Sequence, residues 1–161
     1  MKSLAVLVAI VGLCCPALAQ SPTSPNSIYL ELLGNGLFYS LNYDRMITES
    51  FGARVGIGYV QPIEASLTTV PIMAHYLVGS GSSKLELGFG ACMLLQPDWS
   101  GLSFIGSEDK EARGSQILGT ATLGYRYQRT DGGFVFRVGV TPFFGVMGFN
   151  LTGGLSFGYG F

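Results

Sequence analysis

Six charged residues in this 161-residue sequence are placed so that they could meet: Glu31, Asp44, Arg54, Glu86, Arg126 and Arg137. Each lies in a segment where large apolar residues alternate with small or polar ones, and each falls on the small or polar phase. In extended chain that phase is one face, so the six would look into the same space. Three carboxylates and three guanidiniums enclosed together must pair, because an isolated charge removed from water is strongly unfavourable. The chemistry open to such a set is a self-satisfied ion network that plugs the space, or a polar path along which a small ion could pass. Lys84 and Arg45, nearer the ends of their segments, are expected at its margins.

Other reactive groups are sparse. His75 is the one histidine, and of three cysteines only Cys92 lies outside the first nineteen residues, which read as a cleaved signal peptide, so neither a zinc site nor a disulfide can be assembled within the exported chain. Cys92 sits in an apolar, Gly-rich alternation and reads as a small buried residue. Ser100, Ser103 and Ser107 have no base positioned beside them. Gly56-Ile57-Gly58 and Gly88-Phe89-Gly90 lie inside strand patterns with no helix after them, which excludes a phosphate loop. No catalytic residue, metal or cofactor is expected.

The composition bounds the class. Hydrophobic residues make up 48% of the chain and charged residues 12%, with 24 glycines, a mean hydropathy of +0.40 and nine Lys+Arg against ten Asp+Glu. That is too apolar for a disordered chain and lacks the basic excess of a nucleic-acid binder. The longest apolar run, Leu4 to Cys15, falls short of the roughly 20 residues of a spanning helix. Lys2, the apolar stretch Leu4 to Cys14, and Ala17-Leu18-Ala19 instead form a secretory signal peptide, residues 1–19, cleaved after Ala19. A polar leader, 20–27, precedes one domain, 28–161, and with Lys2 removed the exported chain has eight basic and ten acidic residues.

The elements that would position the six charges are strands. Leu155, Phe157, Tyr159 and Phe161 alternate with Ser156, Gly158 and Gly160; Leu85, Leu87, Phe89, Ala91, Met93 and Leu95 oppose Lys84, Glu86, Gly88, Gly90, Cys92 and Gln96. The same period of two runs through 53–59, 119–128 and 134–141. Turns at 48–50, 79–83 and 130–133 are tight, whereas wider connections are expected at 61–66, 97–114 and 145–149. At Gly34-Asn35-Gly36 the polar phase flips, by a hairpin or by a bulge within one strand. The hairpin, taken here, gives about eight strands with both termini at the tight-turn end.

A soluble sandwich would bury its apolar face and carry many charges on the other. Here the second face is Gly, Ser and Thr with few charges. That pattern predicts an all-β fold in which a closed, antiparallel, up-and-down barrel crosses lipid with its large residues outward. Tyr39, Tyr43, Tyr59, Tyr76, Tyr125, Tyr127 and Tyr159 fall mostly near strand ends, as an interfacial aromatic girdle requires.

The terminal alternation Leu155, Phe157, Tyr159, Phe161 resembles the C-terminal strand by which bacterial outer-membrane proteins are handed to the barrel assembly machinery. With the signal peptide and strand count, the chain resembles the small eight-stranded outer-membrane barrels, OmpA-like and OmpX-like domains among them. The resemblance implies a monomer in the outer-membrane lipid of a Gram-negative bacterium, with no nucleic-acid partner. Some such barrels are lipid A acylhydrolases or palmitoyl transferases that use His and Ser at the membrane face. Here Leu77 follows His75 where a deacylase of that kind has serine, so no catalysis is expected.

The role expected is structural or surface-interacting, with a filled interior. One alternative is a soluble periplasmic barrel around a lipophilic ligand, which would turn Phe157, Tyr159 and Phe161 inward. Another is a narrow ion-conducting pore. An external partner would find its best contact on the 99–113 loop, at Trp99, Leu102, Phe104, Glu108, Asp109 and Lys110. Deletion of residues 100–112 is expected to leave a barrel whose band still shifts on SDS gels when heated; loss of that shift would make the loop part of the fold.

Overall fold

Alternation with a period of two fixes the strand faces, and the turns set where each strand ends. The computed structural model describes residues 24–60, 66–95, 115–145 and 148–161. The signal peptide expected at 1–19 lies outside them, as do Trp99, Leu102, Phe104, Glu108, Asp109 and Lys110 of the expected contact loop. Eight strands follow in order: β1 Asn26–Leu33, β2 Tyr39–Met46, β3 Phe51–Val60, β4 Leu67–Val78, β5 Ser83–Leu95, β6 Gln116–Gln128, β7 Gly133–Gly145 and β8 Gly148–Gly160. Each pairs antiparallel with the next, and β8 returns to β1 from Ser27↔Gly160 to Leu33↔Gly154, closing the barrel. Phe161 and Asn26 exchange both backbone hydrogen bonds, at 2.8 and 3.0 Å. The wall thus begins at Asn26, two residues inside the stretch expected as leader.

The start of β1, the end of β8 and the tight turns share one end. Gly79 and Gly81 take positive φ in the turn after β4. In the turn after β6, Arg129 and Asp131 form an exposed pair at 2.5 Å. The hydrogen bonds between them hold the Asp131 carboxyl below its ordinary range and the Arg129 guanidinium above its own. At the opposite, loop end, the wide connection expected at 145–149 is corrected: the register reaches Gly145↔Gly148 and leaves two residues between the strands. Gly148, at φ +85, starts the return in a conformation that suits glycine.

The faces sort as the alternation predicts. Ile57, Phe89, Ile117, Leu151, Phe157, Tyr159 and Phe161 point outward, with Phe89 69% and Tyr159 63% exposed. Glu31, Asp44, Arg54, Glu86, Arg126 and Arg137 point into the lumen and are buried. Arg45 is the exception to expectation: as the neighbour of inward Asp44 it must face out, and it does. Tyr43, Tyr76, Tyr125, Tyr127 and Tyr159 lie toward the tight-turn end, and Tyr39 and Tyr59 toward the loop end. Tyr43 donates to Asn26 Oδ1 at 2.8 Å, and Phe136 packs against Phe157 with the rings tilted at 52° and a centroid separation of 5.4 Å.

Two prolines show how the wall accepts residues without an N–H. The β3–β4 ladder lapses between Val55↔Ile72 and Gly58↔Thr69, beside Pro71, while Pro71 still sits opposite Cys92 on β5. The β6–β7 ladder lapses likewise beside Pro142, which keeps its place opposite Leu151 on β8. The wall is also uneven in height, with eight residues in each of β1 and β2 against thirteen in each of β5 to β8.

Glycine is obligatory where a lumen side chain crowds the wall. At Gly158 an added Cβ would lie 2.1 Å from the Ile28 carbonyl oxygen and 2.3 Å from Tyr29 Cβ. At Gly153 the nearest atom is Gly139 O at 3.8 Å. Gly158→Ala is therefore expected to destabilise the barrel by about 1–3 kcal/mol, and Gly153→Ala to leave it within about 0.5 kcal/mol, in urea unfolding of micelle-refolded protein.

Candidate functional site

The lumen is the candidate site, and its polar part is built from seven strands. β1 contributes Tyr29 and Glu31, β2 Asp44, β3 Arg54, β4 His75, β5 Glu86, β6 Arg126 and β7 Arg137. The six charges predicted from the sequence all converge. Glu86 accepts two hydrogen bonds from Arg137, Nη2 to Oε1 at 2.5 Å and Nε to Oε2 at 2.8 Å. The same carboxylate lies 3.7 Å from Arg126 and 4.0 Å from Arg54. Glu31 stands 3.6 Å from both Arg54 and Arg137. Asp44 takes Arg126 at 3.0 Å, and the remaining Arg126 donors reach Gln128 and Ser27. Three guanidiniums thus offset three carboxylates, Arg126 and Arg137 by direct hydrogen bonds to Asp44 and Glu86, and Arg54 by proximity while its own hydrogen bonds go to Tyr29, Asn35 and Thr122.

Two members of the cluster are not charges. Tyr29, almost wholly buried, donates to Asp44 Oδ2 at 3.5 Å and accepts from Arg54 at 3.1 Å, while Arg137 lies 4.7 Å above its ring. It shares the phase of Glu31, so the alternation already placed it inside; its aromatic character drew attention to the girdle instead. His75 faces the lumen, with Nε2 3.2 Å from Arg126 Nη1, 3.6 Å from Asp44 Oδ2 and 3.4 Å from Met46 Sδ. None of these partners is a hydroxyl or thiol nucleophile. Among the described residues no cluster of His, Cys, Asp and Glu is arranged to hold a metal ion.

Toward the tight-turn end the cluster opens into a vestibule of about 410 Å³, lined by residues including Met46, Leu77, Lys84, Arg126, Gln128 and Arg129. Lys84 takes its expected marginal place there, donating to the Glu49 carbonyl at 3.2 Å. Toward the loop end the lumen is closed by material that sequence reasoning missed. Gly34–Gly36 forms a 3₁₀ turn folded inward, with Asn35 fully buried. Asn35 Nδ2 donates to Thr120 Oγ1 at 2.7 Å, and its Oδ1 accepts from Thr122 at 2.9 Å and from Arg54. Beside it Leu37 and Phe38 pack on Leu67, Cys92, Leu94, Leu118 and Phe143. Leu94 and Phe143 occupy the inward phase, a signal masked because both belong to nearly continuous apolar runs.

The chain matches no protein-family model and no curated protein sequence. Among solved structures it is similar to the N-terminal β-barrel domain of Pseudomonas aeruginosa OprF, with a TM-score of 0.62 and 14% identity over 88% of this chain and 100% of that one. The likeness shows the fold: a closed, antiparallel, up-and-down barrel of eight strands, as in the small barrels that the sequence resembles.

Removing one charge from the cluster strands the others. Glu86→Gln is expected to cost about 3–5 kcal/mol in urea unfolding, and removing Arg137 as well, in Glu86→Leu/Arg137→Leu, to recover most of it, since the remaining four charges still balance. Arg129→Ala, at a fully exposed pair, is expected to leave the unfolding midpoint unchanged.

Proposed function

We propose that this chain is a small integral outer-membrane β-barrel protein with a sealed lumen and a structural or surface-interaction role. The observation that carries the reading is the inversion of the barrel: the apolar side chains form its outer surface, and the paired charges form its inside. A closed sheet satisfies its backbone within the wall, which is what a hydrocarbon environment demands of strands. The aromatic residues toward the two ends fit the two membrane interfaces. The strand ending in Leu155, Phe157, Tyr159 and Phe161 turns these four side chains to the outer face, where the barrel assembly machinery would read them as an insertion signal. The chain acts as a monomer, and an external partner would meet the 99–113 loop.

The lipophilic-carrier alternative fits poorly. Its ligand would need an apolar lumen walled by Phe157, Tyr159 and Phe161, and these are 44%, 63% and 51% exposed on the outer face. A conducting path would have to cross the Glu31–Arg54–Glu86–Arg137 cluster and then the Asn35 turn, which together occupy the lumen in an eight-stranded barrel whose interior side chains just fill it. The reading assigns no catalytic step.

In cells of a Gram-negative host, the protein is expected in the detergent-extracted outer membrane, with a band that changes mobility on boiling. Reconstituted in planar bilayers it is expected to show no steady conductance. A soluble, unshifted periplasmic band would refute the membrane reading. A reproducible conductance lost in Arg126→Ala or Glu86→Ala would refute the sealed lumen.

A further inference from the structure

The outer face of the wall carries one charge. Of the charged residues in the eight strands, Arg45 alone is exposed to the outside, and the others face the lumen or its vestibule. A guanidinium on the lipid face is costly at mid-bilayer and tolerated only toward an interface. Arg45 has such a place: it is next to the last residue of β2 and one outward step beyond Tyr43, which shares its level with Tyr159 across Ile28. Among the described residues its side chain makes no ion pair and no hydrogen bond. Asp44 beside it faces the lumen, and Glu49 in the next turn lines the vestibule.

A second donor stands beside this cation. Met46 N donates to Pro25 O at 2.7 Å, so the next rung, Asn26↔Arg45, is a non-hydrogen-bonded pair, in which side chains are at their closest. Tyr43 donates to Asn26 Oδ1 at 2.8 Å, which leaves the Nδ2 hydrogens of the amide for another acceptor. Guanidinium and amide together offer N–H groups to an anion with several oxygens. The wall then leads from these donors into the hydrocarbon. The rung that starts at Asn26 runs through Arg45, Ala53, Ala74 and Phe89. Counted from the tight-turn end, these are the first, second, third, fifth and seventh residues of their strands, so the rung climbs obliquely toward mid-wall. Ala53 and Ala74 make it a shallow trough, with Phe51 and Tyr76 on one bank and Val55 and Ile72 on the other.

We propose that Arg45 and Asn26 hold the phosphate of an anionic glycerophospholipid, one acyl chain of which enters the bilayer along Ala53 and Ala74. The assignment rests on the outer-membrane reading above. A headgroup of net negative charge suits the site better than a zwitterionic one, whose ammonium would meet the guanidinium. A carboxylate of a second protein would also satisfy Arg45, but it would leave unused a trough that descends from the donors into hydrocarbon.

The experiment is native mass spectrometry of micelle-refolded protein in a neutral detergent, with phosphatidylglycerol, phosphatidylethanolamine or diacylglycerol added in turn and the SDS band shift run on every sample. The protein is expected to retain one phosphatidylglycerol about tenfold more strongly than phosphatidylethanolamine, and to retain no diacylglycerol. Arg45→Gln is expected to abolish that preference and Arg45→Lys to keep part of it. Ala74→Leu, which fills the trough with the charge in place, is expected to weaken retention several-fold. Lys84→Gln, which removes a cation of the vestibule, is expected to change nothing. The proposal is overturned if Arg45→Gln retains phosphatidylglycerol undiminished while its band still shifts, or if Lys84→Gln abolishes retention. It is overturned too if inorganic phosphate at the same concentration displaces the lipid, which would make the site one for free anions. A band that shifts in no sample would refute the barrel reading, and the proposal with it.

Discussion

The interior depends on one carboxylate. Glu86 receives the two-pronged hydrogen bond of Arg137 and lies within 4.0 Å of Arg54 and Arg126, so all three guanidiniums of the cluster answer to it. Burial raises the energy of an unpaired charge far more than it raises that of a paired one, so these groups are held to a narrow set of geometries. Strand register follows from this. A slip of one residue in β5 would turn Glu86 to the outer face and leave three cations without their shared partner, while the apolar residues between would turn inward.

The wall and its filling are therefore one problem. Eight strands enclose little space, and six charged side chains, a tyrosine and a histidine must fit in it. Where a large side chain lies against the wall the opposite residue has to be small: Gly158 faces Tyr29 across the β1–β8 seam, and only hydrogen fits there. The high glycine content, which in a soluble domain would point to loose turns, here makes room for the lumen side chains. Most of the large apolar side chains of the strands lie on the outer face, and a smaller set around Leu94 and Phe143 packs inside.

Much of this was legible from spacing. Period-two alternation identified the strands, their faces and all six charges of the cluster, because each side chain's face is decided by local geometry alone. Arg45 failed for the same reason: grouping it with Asp44 by charge ignored that adjacent residues on a strand face opposite ways. The loop end was opaque. Asn35-Gly36 announces a hairpin, and a hairpin forms, but its bend into the lumen comes from contacts with Thr120 and Thr122, more than eighty residues away in sequence. The apolar layer of Leu94, Leu118 and Phe143 was hidden because leucine and phenylalanine on either face read alike. The connection at 145–149 was overestimated because strands β7 and β8 extend further than the sequence alternation does.

The uneven height of the wall has a consequence for the surroundings. At about 3.4 Å per residue and a tilt near 45°, thirteen-residue strands span about 31 Å along the barrel axis, and eight-residue strands about 19 Å. The β5–β8 side matches an ordinary hydrocarbon layer, and the β1–β2 side falls well short of it. In the outer-membrane setting proposed above, lipids cannot be thick on one flank and thin on the other without deformation, so the barrel would either lean toward its short side or draw the two leaflets together there. The bilayer around a barrel so placed would be thinnest beside β1 and β2.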